Sequence, residues 1–295
     1  MRVVAEIPET RSAIAQLRAV HASGTSRSVG FVPTMGALHE GHRSLVQAAR
    51  QRCDVVVVSI FVNPTQFGPN EDFTRYPRTL EADCRMLEAE GVDLVFAPSA
   101  ERMYPAGSTT LVEVAGIGDR LDGASRPGHF RGVATVVAKL FHIVQPEFAF
   151  FGQKDAAQLA VLRQMVRDLN IPVELVACPI VREPDGLAMS SRNRYLSAEQ
   201  RRQALAIWRG LETAGKMARS GEHHAEALLH AVRTVLQQEP ALREDYVALV
   251  DPDTLLPVAS IERGGLLAVA VHVGTTRLID NILLPAGSAL SQEKG

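Results

Sequence analysis

The chain of 295 residues is long enough for one large α/β domain with a smaller companion, or for two medium-sized domains. A hydrophobic content of 46% with 22% charged residues argues against wholesale disorder. The net charge of −2 gives no global attraction for nucleic acid or for an anionic membrane, so neither is an expected partner.

The sequence shows no targeting or membrane segment. The first nine residues lack a long apolar stretch, so we expect no secretory signal. The longest strongly apolar run, residues 55–62, is too short to cross a bilayer. Cys53, Cys84 and Cys178 are widely spaced and odd in number, which favours reduced thiols over a disulfide framework or a zinc site. These features predict a cytoplasmic protein.

Up to residue 180, short apolar runs alternate with helical patterns. We expect strands at residues 28–33, 55–62, 93–97 and 148–151. Helical spacing of apolar residues predicts helices at 41–52, around 80–87, at 132–144 and around 159–169. This alternation predicts right-handed βαβ units in a parallel sheet with helices on both faces. Since ligands bind outside the carboxyl ends of such strands, the loops after the strands are the candidate sites.

The pattern changes after about residue 195. Ser197 is expected to cap a helix whose apolar face carries Leu205, Trp208 and Leu211. A second helix is expected around 228–236, followed by two β-like runs at 266–273 and 278–284 that are joined as a hairpin. We interpret residues 1–180 as one domain and residues 181–295 as a separate, smaller α+β domain.

The run at 28–33 ends in Pro-Thr-Met-Gly-Ala-Leu-His-Glu-Gly-His at residues 33–42. A Gly-rich turn that enters a helix exposes backbone N–H groups and the positive end of the helix dipole, which suits phosphates. His39 and His42 can donate hydrogen bonds to phosphate oxygens that gain charge as pyrophosphate leaves. Their position at a strand-to-helix junction disfavours the alternative of surface or capping histidines. This H-x-G-H pattern resembles the class I nucleotidyl-transferring superfamily and indicates α-phosphate chemistry without specifying the substrate.

Two further strands end in loops with ligand-suited side chains. Gln66 follows the run at 55–62, where a neutral amide can hold a hydroxyl or a carboxylate. After the run at 148–151, Gly152 allows close backbone approach, Lys154 offers a charge for phosphate, and Asp155 can accept bonds from ribose hydroxyls. Taken singly, these residues fit solvated turns, so their interpretation as ligands rests on three strands ending in such loops along one sheet edge.

A fourth element lies at the proposed domain junction. Ser190, Ser191 and Arg192 supply two hydroxyls and a fixed fork of donors that suit a triphosphate. A flexible Gly-rich segment that carries them is expected to close over the nucleotide and exclude water. His129 and Arg131, in a Gly-rich turn, either face an acid substrate or cap the following helix.

Six motifs together resemble the pantothenate synthetase (pantoate–β-alanine ligase) family, in order and over residues 3–284. They are Phe-Val-Pro-Thr-Met-Gly at 31–36 with His-Glu-Gly-His at 39–42, Phe-Val-Asn-Pro at 61–64 with Gln66, Tyr-Pro-Arg-Thr at 76–79, Gly-His-Phe-Arg-Gly at 128–132, Gly-Gln-Lys-Asp at 152–155, and Ser-Ser-Arg-Asn at 190–193. The resemblance implies a homodimer with a Rossmann-like nucleotide- and pantoate-binding domain over 1–180 and a lid domain over 181–295. It also implies ATP, Mg²⁺, (R)-pantoate and β-alanine as ligands.

Carried over position by position, the resemblance assigns most of the site to ATP. The residues implied to contact ATP are Met35, Gly36, Ala37, Leu38, His39, Glu40, Gly41, His42, Gly152, Gln153, Lys154, Asp155, Val181, Met189, Ser190, Ser191 and Arg192. His42 is implied as the proton donor, with His39 and Lys154 as further catalytic groups.

The resemblance also assigns the acid substrate and the metal. Gln66 and Gln158 are implied to hold pantoate, Gln66 also to touch β-alanine, and Asp83 to lie on the metal side. The family's pattern differs at Gln153, at residues 156–157 and at Met189, which affects packing near Lys154 and the fit of adenine.

The implied reaction has two steps. Pantoate attacks the α-phosphate of ATP to give pantoyl adenylate and pyrophosphate, and β-alanine then displaces AMP to give pantothenate. Two alternatives are a nucleotidyltransferase that releases its activated product and a non-catalytic nucleotide sensor. Gln66, Gln158 and the Ser-Ser-Arg segment favour the ligase, and the lack of a Lys-Met-Ser-Lys-Ser sequence disfavours tRNA charging.

Overall fold

The computed structural model describes residues 1–19, 26–69 and 71–286. Within these ranges the chain forms two compact units. The first unit combines Met1–Gly152 with Val161–Pro179, and the second combines Gln153–Ala160 with the chain from Ile180 onward. The two units therefore interleave along the sequence. The division into domains at residue 180 stays a prediction.

The first unit is built on a parallel sheet. Its strands are β1 (Arg2–Val4), β2 (Val29–Thr34), β3 (Val55–Ile60), β4 (Leu94–Phe96), β5 (Phe148–Gly152) and β6 (Glu174–Cys178). They are hydrogen-bonded in the order β1-β4-β3-β2-β5-β6, and every pair is parallel. The helices that accompany them are α1 (Ile7–Arg18), α2 (Glu40–Arg52), α3 (Leu80–Ala89), α4 (Ala100–Met103), α5 (Asp122–Ser125) and α6 (His129–Val144). A further helix, α7 (Ala156–Asp168), begins in the second unit and continues from Val161 in the first.

Apolar side chains cover both faces of this sheet. Because side chains alternate between faces along a strand, Phe31 and Val32 point to opposite sides. Val32 belongs to a cluster with Leu45 and Val46 of α2, whereas the Phe31 ring lies 6.5 Å from the ring of Phe141 on α6. Residues 55–58 of β3, all valine, are fully buried. A continuous apolar run of this kind is typical of a strand covered on both faces, and the predicted α/β class is confirmed.

The sheet order brings three candidate loops to one edge. β2 lies between β3 and β5, and parallel strands place their carboxyl ends together. The chain leaves β2 for β3 on one side and later adds β5 on the other side, which makes a topological switch point at β2. The loops that follow β2, β3 and β5 therefore start along the same edge, as the sequence predicted.

Several elements were not predicted, and each has a weak sequence signal. β1 has only three residues, and α1 carries Pro8 in its first turn, where proline is tolerated although it usually indicates a break. β6 is an edge strand with exposed residues, so it lacks a long apolar run. The predicted helices at 41–52 and 132–144 are present as α2 and α6, which begin one and three residues earlier, respectively.

The second unit has its own core and sheet. Its helices α8 (Ala198–Arg219) and α9 (Ala225–Leu236) pack with the antiparallel strands β7 (Leu242–Val250), β8 (Gly265–Val273) and β9 (Thr276–Leu284). Ser197 caps α8 as predicted, since its Oγ accepts from Gln200 N at 3.2 Å and the Gln200 Oε1 accepts from Ser197 N at 3.0 Å. The β8–β9 hairpin is confirmed, and the charged strand β7 adds a third strand to the two that were expected.

Within the described ranges, each helix is too short or too polar to span a bilayer. All three cysteines are free thiols, and Cys53 and Cys178 are buried. Burial raises the pKa of the Cys53 thiol to about 11, which keeps it protonated and unreactive at neutral pH.

Candidate active site

The loop between β2 and α2 has an unusual backbone. Gly36 has φ of 80° and Ala37 has φ of 52°, and the left-handed region is uncommon for a residue with a side chain. A Cβ on Gly36 would lie 3.0 Å from both Asp83 Oδ2 and Ile60 Cγ2, so the position requires glycine. This conformation turns the backbone N–H groups of Ala37 and Leu38 to the same side.

A buried carboxylate holds this loop in place. Asp83, only 3% exposed, accepts from Ala37 N at 3.0 Å through Oδ2 and from Leu38 N at 2.9 Å through Oδ1. The Thr79 hydroxyl donates to the same Oδ1 at 3.1 Å. These three hydrogen bonds compensate for the burial of the charge. Asp83 therefore supports the loop, and its implied role on the metal side stays a prediction.

His39 and His42 stand at the first turn of α2. The Nδ1 of His39 accepts from Gly41 N at 3.1 Å, and the Nδ1 of His42 accepts from His39 N at 3.4 Å. Because each Nδ1 is an acceptor, each neutral ring carries its proton on Nε2. The two ring centroids lie 4.2 Å apart. The histidines thus cap the helix with one nitrogen and have an N–H donor at the other, so the capping and phosphate-binding interpretations are compatible.

The Gln66 side chain follows β3 in a short 3-10 turn, Pro64–Gln66. Its Oε1 accepts from Asn63 Nδ2 at 2.9 Å, and its Nε2 lies 3.1 Å from the sulfur of Met35. The Asn63 contact fixes the orientation of the amide, so Gln66 presents its NH₂ group as a donor beside the β2–α2 loop. Two of the predicted ligand loops therefore meet in the first unit.

Asn63 orients Gln66, and the sequence analysis did not single it out. It is 1% exposed and its Oδ1 accepts from the hydroxyls of Tyr104 and Thr65, both at 2.9 Å. Its amide also donates to Gly132 O at 3.2 Å. The signal available in the sequence was Asn-Pro directly after a buried strand, where an Asn side chain often bonds the backbone two residues on. Thr65 N makes that bond here, at 3.3 Å.

His129 holds the backbone of the same turn. Its Nδ1 donates to Gln66 O at 2.8 Å, and its Nε2 accepts from Arg126 at 3.0 Å. Burial, and next the charge of Arg126, lower the pKa of His129 to about 4, so the ring is neutral at neutral pH. His129 thus supports the Gln66 backbone, a role that neither interpretation of the sequence named, and its contact with an acid substrate stays a prediction. Arg131 is exposed.

An ion pair completes this support. Arg126 contacts Glu71 through two hydrogen bonds, of 2.7 Å from Nε and 2.5 Å from Nη2. Burial alone would raise the pKa of Glu71, but the Arg126 hydrogen bond and charge lower it. The charge-assisted Glu71–Arg126 pair is therefore linked through the neutral His129 ring to the Gln66 carbonyl.

Helix α6 approaches the turn so closely that only glycine fits at one position. A Cβ on Gly132 would lie 2.3 Å from Thr65 O and 2.7 Å from the Gln66 Cα. The Gly-His-Phe-Arg-Gly motif thus supports the Gln66 turn in two ways. His129 binds the Gln66 carbonyl, and Gly132 allows α6 to pack closely against the turn.

The second unit carries the other candidate residues. Lys154 lies in a 3-10 turn, Gln153–Asp155, and its Nζ is 3.7 Å from Asp155 Oδ1. Met189 N donates to Val181 O at 3.0 Å, so these two implied ATP contacts are neighbours. Ser190 Oγ accepts from Arg192 N at 3.2 Å and caps the turn Ser191–Tyr195.

The structure thus gathers the predicted residues in two sets. The first unit brings residues 35–42 together with Gln66 and Asp83, and it ends β5 at Gly152. The second unit contains residues 153–155, Gln158, Val181 and residues 189–192. The ligand assigned to each of these residues stays a prediction.

Comparisons with known proteins agree with the motifs. The family model described as pantoate-beta-alanine ligase matches residues 2–283. A pantothenate synthetase of Acidobacterium capsulatum is 61% identical over 290 residues, covering 96% of this chain and 97% of that protein. One of Koribacter versatilis is 56% identical, covering 97% of each.

Solved structures agree as well. Pantothenate synthetase from Thermus thermophilus superposes with a TM-score of 0.90 at 49% identity, covering 97% of this chain and 100% of that one. A pantoate-beta-alanine ligase from Francisella tularensis, complexed with beta-gamma ATP and beta-alanine, gives a TM-score of 0.77 at 34% identity, covering 96% and 97%. The chain therefore belongs to the pantoate-beta-alanine ligase family.

Proposed function

We propose that the protein joins (R)-pantoate to β-alanine at the expense of ATP, through pantoyl adenylate, with release of pyrophosphate and AMP. Its family membership supports the overall reaction. The observation that carries the mechanism is the pair of histidines in the first turn of α2, which follow a loop whose Met35 sulfur lies 3.1 Å from the donor amide of Gln66. The donors that we assign to phosphate and to the acid substrate thus lie in one unit.

The first step forms a bond between a pantoate carboxylate oxygen and the α-phosphorus of ATP and breaks the bond from that phosphorus to the pyrophosphate oxygen. Negative charge grows on the departing pyrophosphate. The N-terminus of α2 and the Nε2–H groups of His39 and His42 can stabilise that charge. We assign His42 as the proton donor and Gln66 Nε2 as the group that orients pantoate.

The second step forms an amide bond. The β-alanine nitrogen attacks the acyl carbon of the adenylate, AMP leaves with the bonding electrons, and the nitrogen loses a proton. Because AMP is a good leaving group, the protein contributes mainly by positioning. Gln66, which we assign also to β-alanine, is suited to this because Asn63 and His129 fix its side chain and its backbone.

The residues of the second unit are assigned by the resemblance. We propose that Lys154 contacts a phosphate, that Asp155 accepts from the ribose, and that Ser190, Ser191 and Arg192 contact the triphosphate. Gln158 is assigned to pantoate, and Gly152, Gln153, Val181 and Met189 to the remaining nucleotide contacts. The lid role of residues 181–295 belongs to the same proposal. Supporting it, Val181 and Met189 are joined by a backbone hydrogen bond.

Mg²⁺ fits this site as a partner of ATP rather than of a protein cage. Within the described ranges, no group of three or more His, Cys, Asp or Glu side chains is suited to hold a metal. Mg²⁺ commonly reaches a site through substrate phosphates with one or two carboxylates. Asp83 is the carboxylate we assign to the metal side, because it lies against the loop that we assign to ATP. When bound, the ion would neutralise phosphate charge.

The oligomeric state and location complete the proposal. The resemblance predicts a homodimer, which light scattering coupled to size exclusion would measure. It also predicts a cytoplasmic enzyme, which fractionation of the source cells would test.

The test uses the purified protein with ATP, Mg²⁺, pantoate and β-alanine, with product masses read directly. Pantothenate and AMP are expected. Labelled pyrophosphate should exchange into ATP when pantoate and Mg²⁺ are present and β-alanine is omitted. Formation of ADP would indicate an acyl phosphate instead, although the sequence contains no G-x-x-x-x-G-K-[ST] loop of the kind that usually serves γ-phosphate transfer. Release of an activated acid that β-alanine does not consume would support the nucleotidyltransferase alternative.

A further inference from the structure

Strand β9 carries two adjacent polar side chains in the interior of the second unit. Asp280 is 4% exposed and Asn281 is 2% exposed, within a strand that otherwise follows an ordinary β pattern. Burial of an amide and a carboxyl costs free energy unless both are hydrogen-bonded. Their partners therefore show what the two side chains are for.

Asn281 binds the turn that carries Lys154. Its Nδ2 donates to the backbone carbonyls of Gln153 and Lys154, each at 3.0 Å. Its Oδ1 accepts from the Gln153 side-chain amide at 3.3 Å. One buried side chain thus holds two consecutive peptide groups of this turn, and both hydrogen bonds are made to the backbone that sets the direction of the Lys154 side chain.

Asp280 is paired with a half-buried arginine. Arg182 Nη1 and Nη2 donate to its two oxygens at 2.6 and 3.0 Å, and Nη1 also donates to Gly186 O at 3.1 Å. The Arg182 guanidinium lies over the Trp208 ring, 3.7 Å from its centroid. Bidentate contact and ring stacking together hold the guanidinium in one orientation.

Asp280 directly precedes Asn281 on β9, and Asn281 binds the turn that carries Lys154. Burial raises the pKa of the Asp280 carboxyl, while the contacts of Arg182 and Asn281 N, and the charge of Lys154, act in the opposite direction. With Arg182 paired to this carboxylate, Asp280 competes less for the ammonium of Lys154, whose Nζ lies 3.7 Å from Asp155 Oδ1. Without Arg182, the carboxylate would be a competing partner for Lys154.

We propose that Asn281 and the Arg182–Asp280 ion pair position Lys154. Asn281 fixes the turn Gln153–Asp155 that carries the lysine. Arg182 neutralises the Asp280 carboxylate, which would otherwise attract the lysine. This inference rests on the proposed contact between Lys154 and a phosphate of ATP. The segment Ser191–Tyr195 also contacts β9, so β9 supports both groups of residues that we assign to ATP in this unit.

The same sheet offers a matched control. Arg277, also on β9, pairs with Asp245 on β7 through contacts of 2.9 Å from Nε and 2.8 Å from Nη2. Like Arg182–Asp280, this pair joins an arginine to an aspartate of the three-stranded sheet. It links β9 to β7, however, and the turn that carries Lys154 is held by Asn281 instead. Asp245→Asn therefore reports the effect of losing an ion pair in this unit.

The first experiment measures pyrophosphate exchange and ATP binding by calorimetry. Asn281→Ala should lower kcat/KM for ATP about tenfold, because two backbone acceptors lose their donor. Asn281→Asp has nearly the same size but places a carboxylate against two carbonyls, so it should be at least as impaired. The KM for pantoate should change less than about twofold in both variants, and Asp245→Asn should leave both constants unchanged.

The second experiment tests the charge. Arg182→Met should lower kcat/KM for ATP about thirtyfold, and Asp280→Asn added to it should recover most of that loss, to within about fivefold of the unaltered enzyme. Each rate is normalised to folded protein measured by thermal unfolding. A double variant as impaired as Arg182→Met in ATP binding would overturn the charge argument, since a purely structural role predicts recovery of stability alone.

Lys154→Ala separates the two levels of the proposal. If it leaves exchange normal, the assignment of Lys154 to ATP is wrong, and the positioning proposal loses its basis. If it abolishes exchange while Asn281→Ala and Arg182→Met behave like Asp245→Asn, the assignment of Lys154 stands and only the positioning proposal is overturned.

Discussion

The amide of Asn63 donates to the Oε1 of Gln66 at 2.9 Å and so determines which end of the Gln66 side chain is available to a ligand. Asn63 itself is held by Tyr104 and Thr65 through its own oxygen. A donor that is fixed before the substrate arrives loses little conformational entropy on binding. The orientation of Gln66 is thus a property of the protein and precedes contact with the substrate.

The first prediction follows from this relationship. Asn63→Ala should raise the KM for pantoate about tenfold and change the KM for ATP less than about twofold, because the freed Gln66 amide can rotate. Initial rates with each substrate varied would measure both constants. Gln66→Ala should have a similar effect, and the double variant should be no worse than Gln66→Ala alone. Additive losses would contradict the idea that Asn63 acts through Gln66.

The second prediction concerns the two nitrogens of His42. An Asn side chain places its oxygen near the position of Nδ1, whereas a Gln side chain places its amide near the position of Nε2. His42→Asn should therefore keep the helix cap and lose about two orders of magnitude in pyrophosphate exchange. His42→Gln should keep more of the exchange but lose about 1 kcal/mol of stability with the cap. Equal exchange rates in the two variants would argue against a phosphate-facing Nε2.

The third prediction tests the loop carboxylate. Asp83→Asn should weaken ATP binding about tenfold, because an NH₂ group then faces a backbone N–H in place of an acceptor oxygen. Calorimetry at several Mg²⁺ concentrations measures the effect. If Asp83 only supports the loop, the loss should be the same at every concentration. A loss that high Mg²⁺ reverses would favour the metal-side role.

The fourth prediction concerns pH and His129. Its pKa falls from the ordinary 6.5 to about 4 on folding, so between these values the unfolded chain binds more protons. Stability from this group is therefore present above pH 6.5 and is lost as pH falls towards 4. The charged groups around the ring are Arg126, Glu71 and Asp122.

His129→Gln is the variant that tests this linkage, because Gln can still donate to Gln66 O without titrating. Between about pH 7 and pH 5 the unaltered protein should lose about 2 kcal/mol more unfolding free energy than the variant. Urea unfolding at the two pH values gives the difference. Identical losses would mean that His129 does not titrate in this window.

The fifth prediction uses the close approach of α6. Gly132→Ala should displace the Pro64–Gln66 turn, since its Cβ would meet Thr65 O at 2.3 Å. The KM for pantoate should rise about tenfold or more, and the melting temperature should fall. Gly215→Ala in α8 is the control, because its Cβ meets only the ends of the Ile282 and Arg219 side chains. The control should be neutral or slightly stabilising through helix propensity.

Local sequence patterns predicted most of the strands and helices, but few of the hydrogen bonds that hold the site residues in place. The valine run of β3 and the apolar face of α6 are periodic signals, and both elements formed where the sequence predicted them. The bond from Leu38 to Asp83 joins residues 45 positions apart, and the bond from Asn281 to Lys154 joins residues 127 apart. Local hydrophobic periodicity cannot predict such long-range contacts. The sequence analysis therefore missed Asn63 and Asn281, and it gave two alternative roles for His129.

The interleaved units have a consequence for protein engineering. Residues 153–160 belong with the C-terminal part of the chain, although 161–179 return to the first unit. A fragment that begins at residue 180 would lack the carbonyls of Gln153 and Lys154 and would leave the Asn281 amide without two of its acceptors. Chimaeras that exchange the C-terminal part between relatives should therefore carry 153–160 from the same parent, and a cut at 180 should yield a poorly soluble, partly folded product.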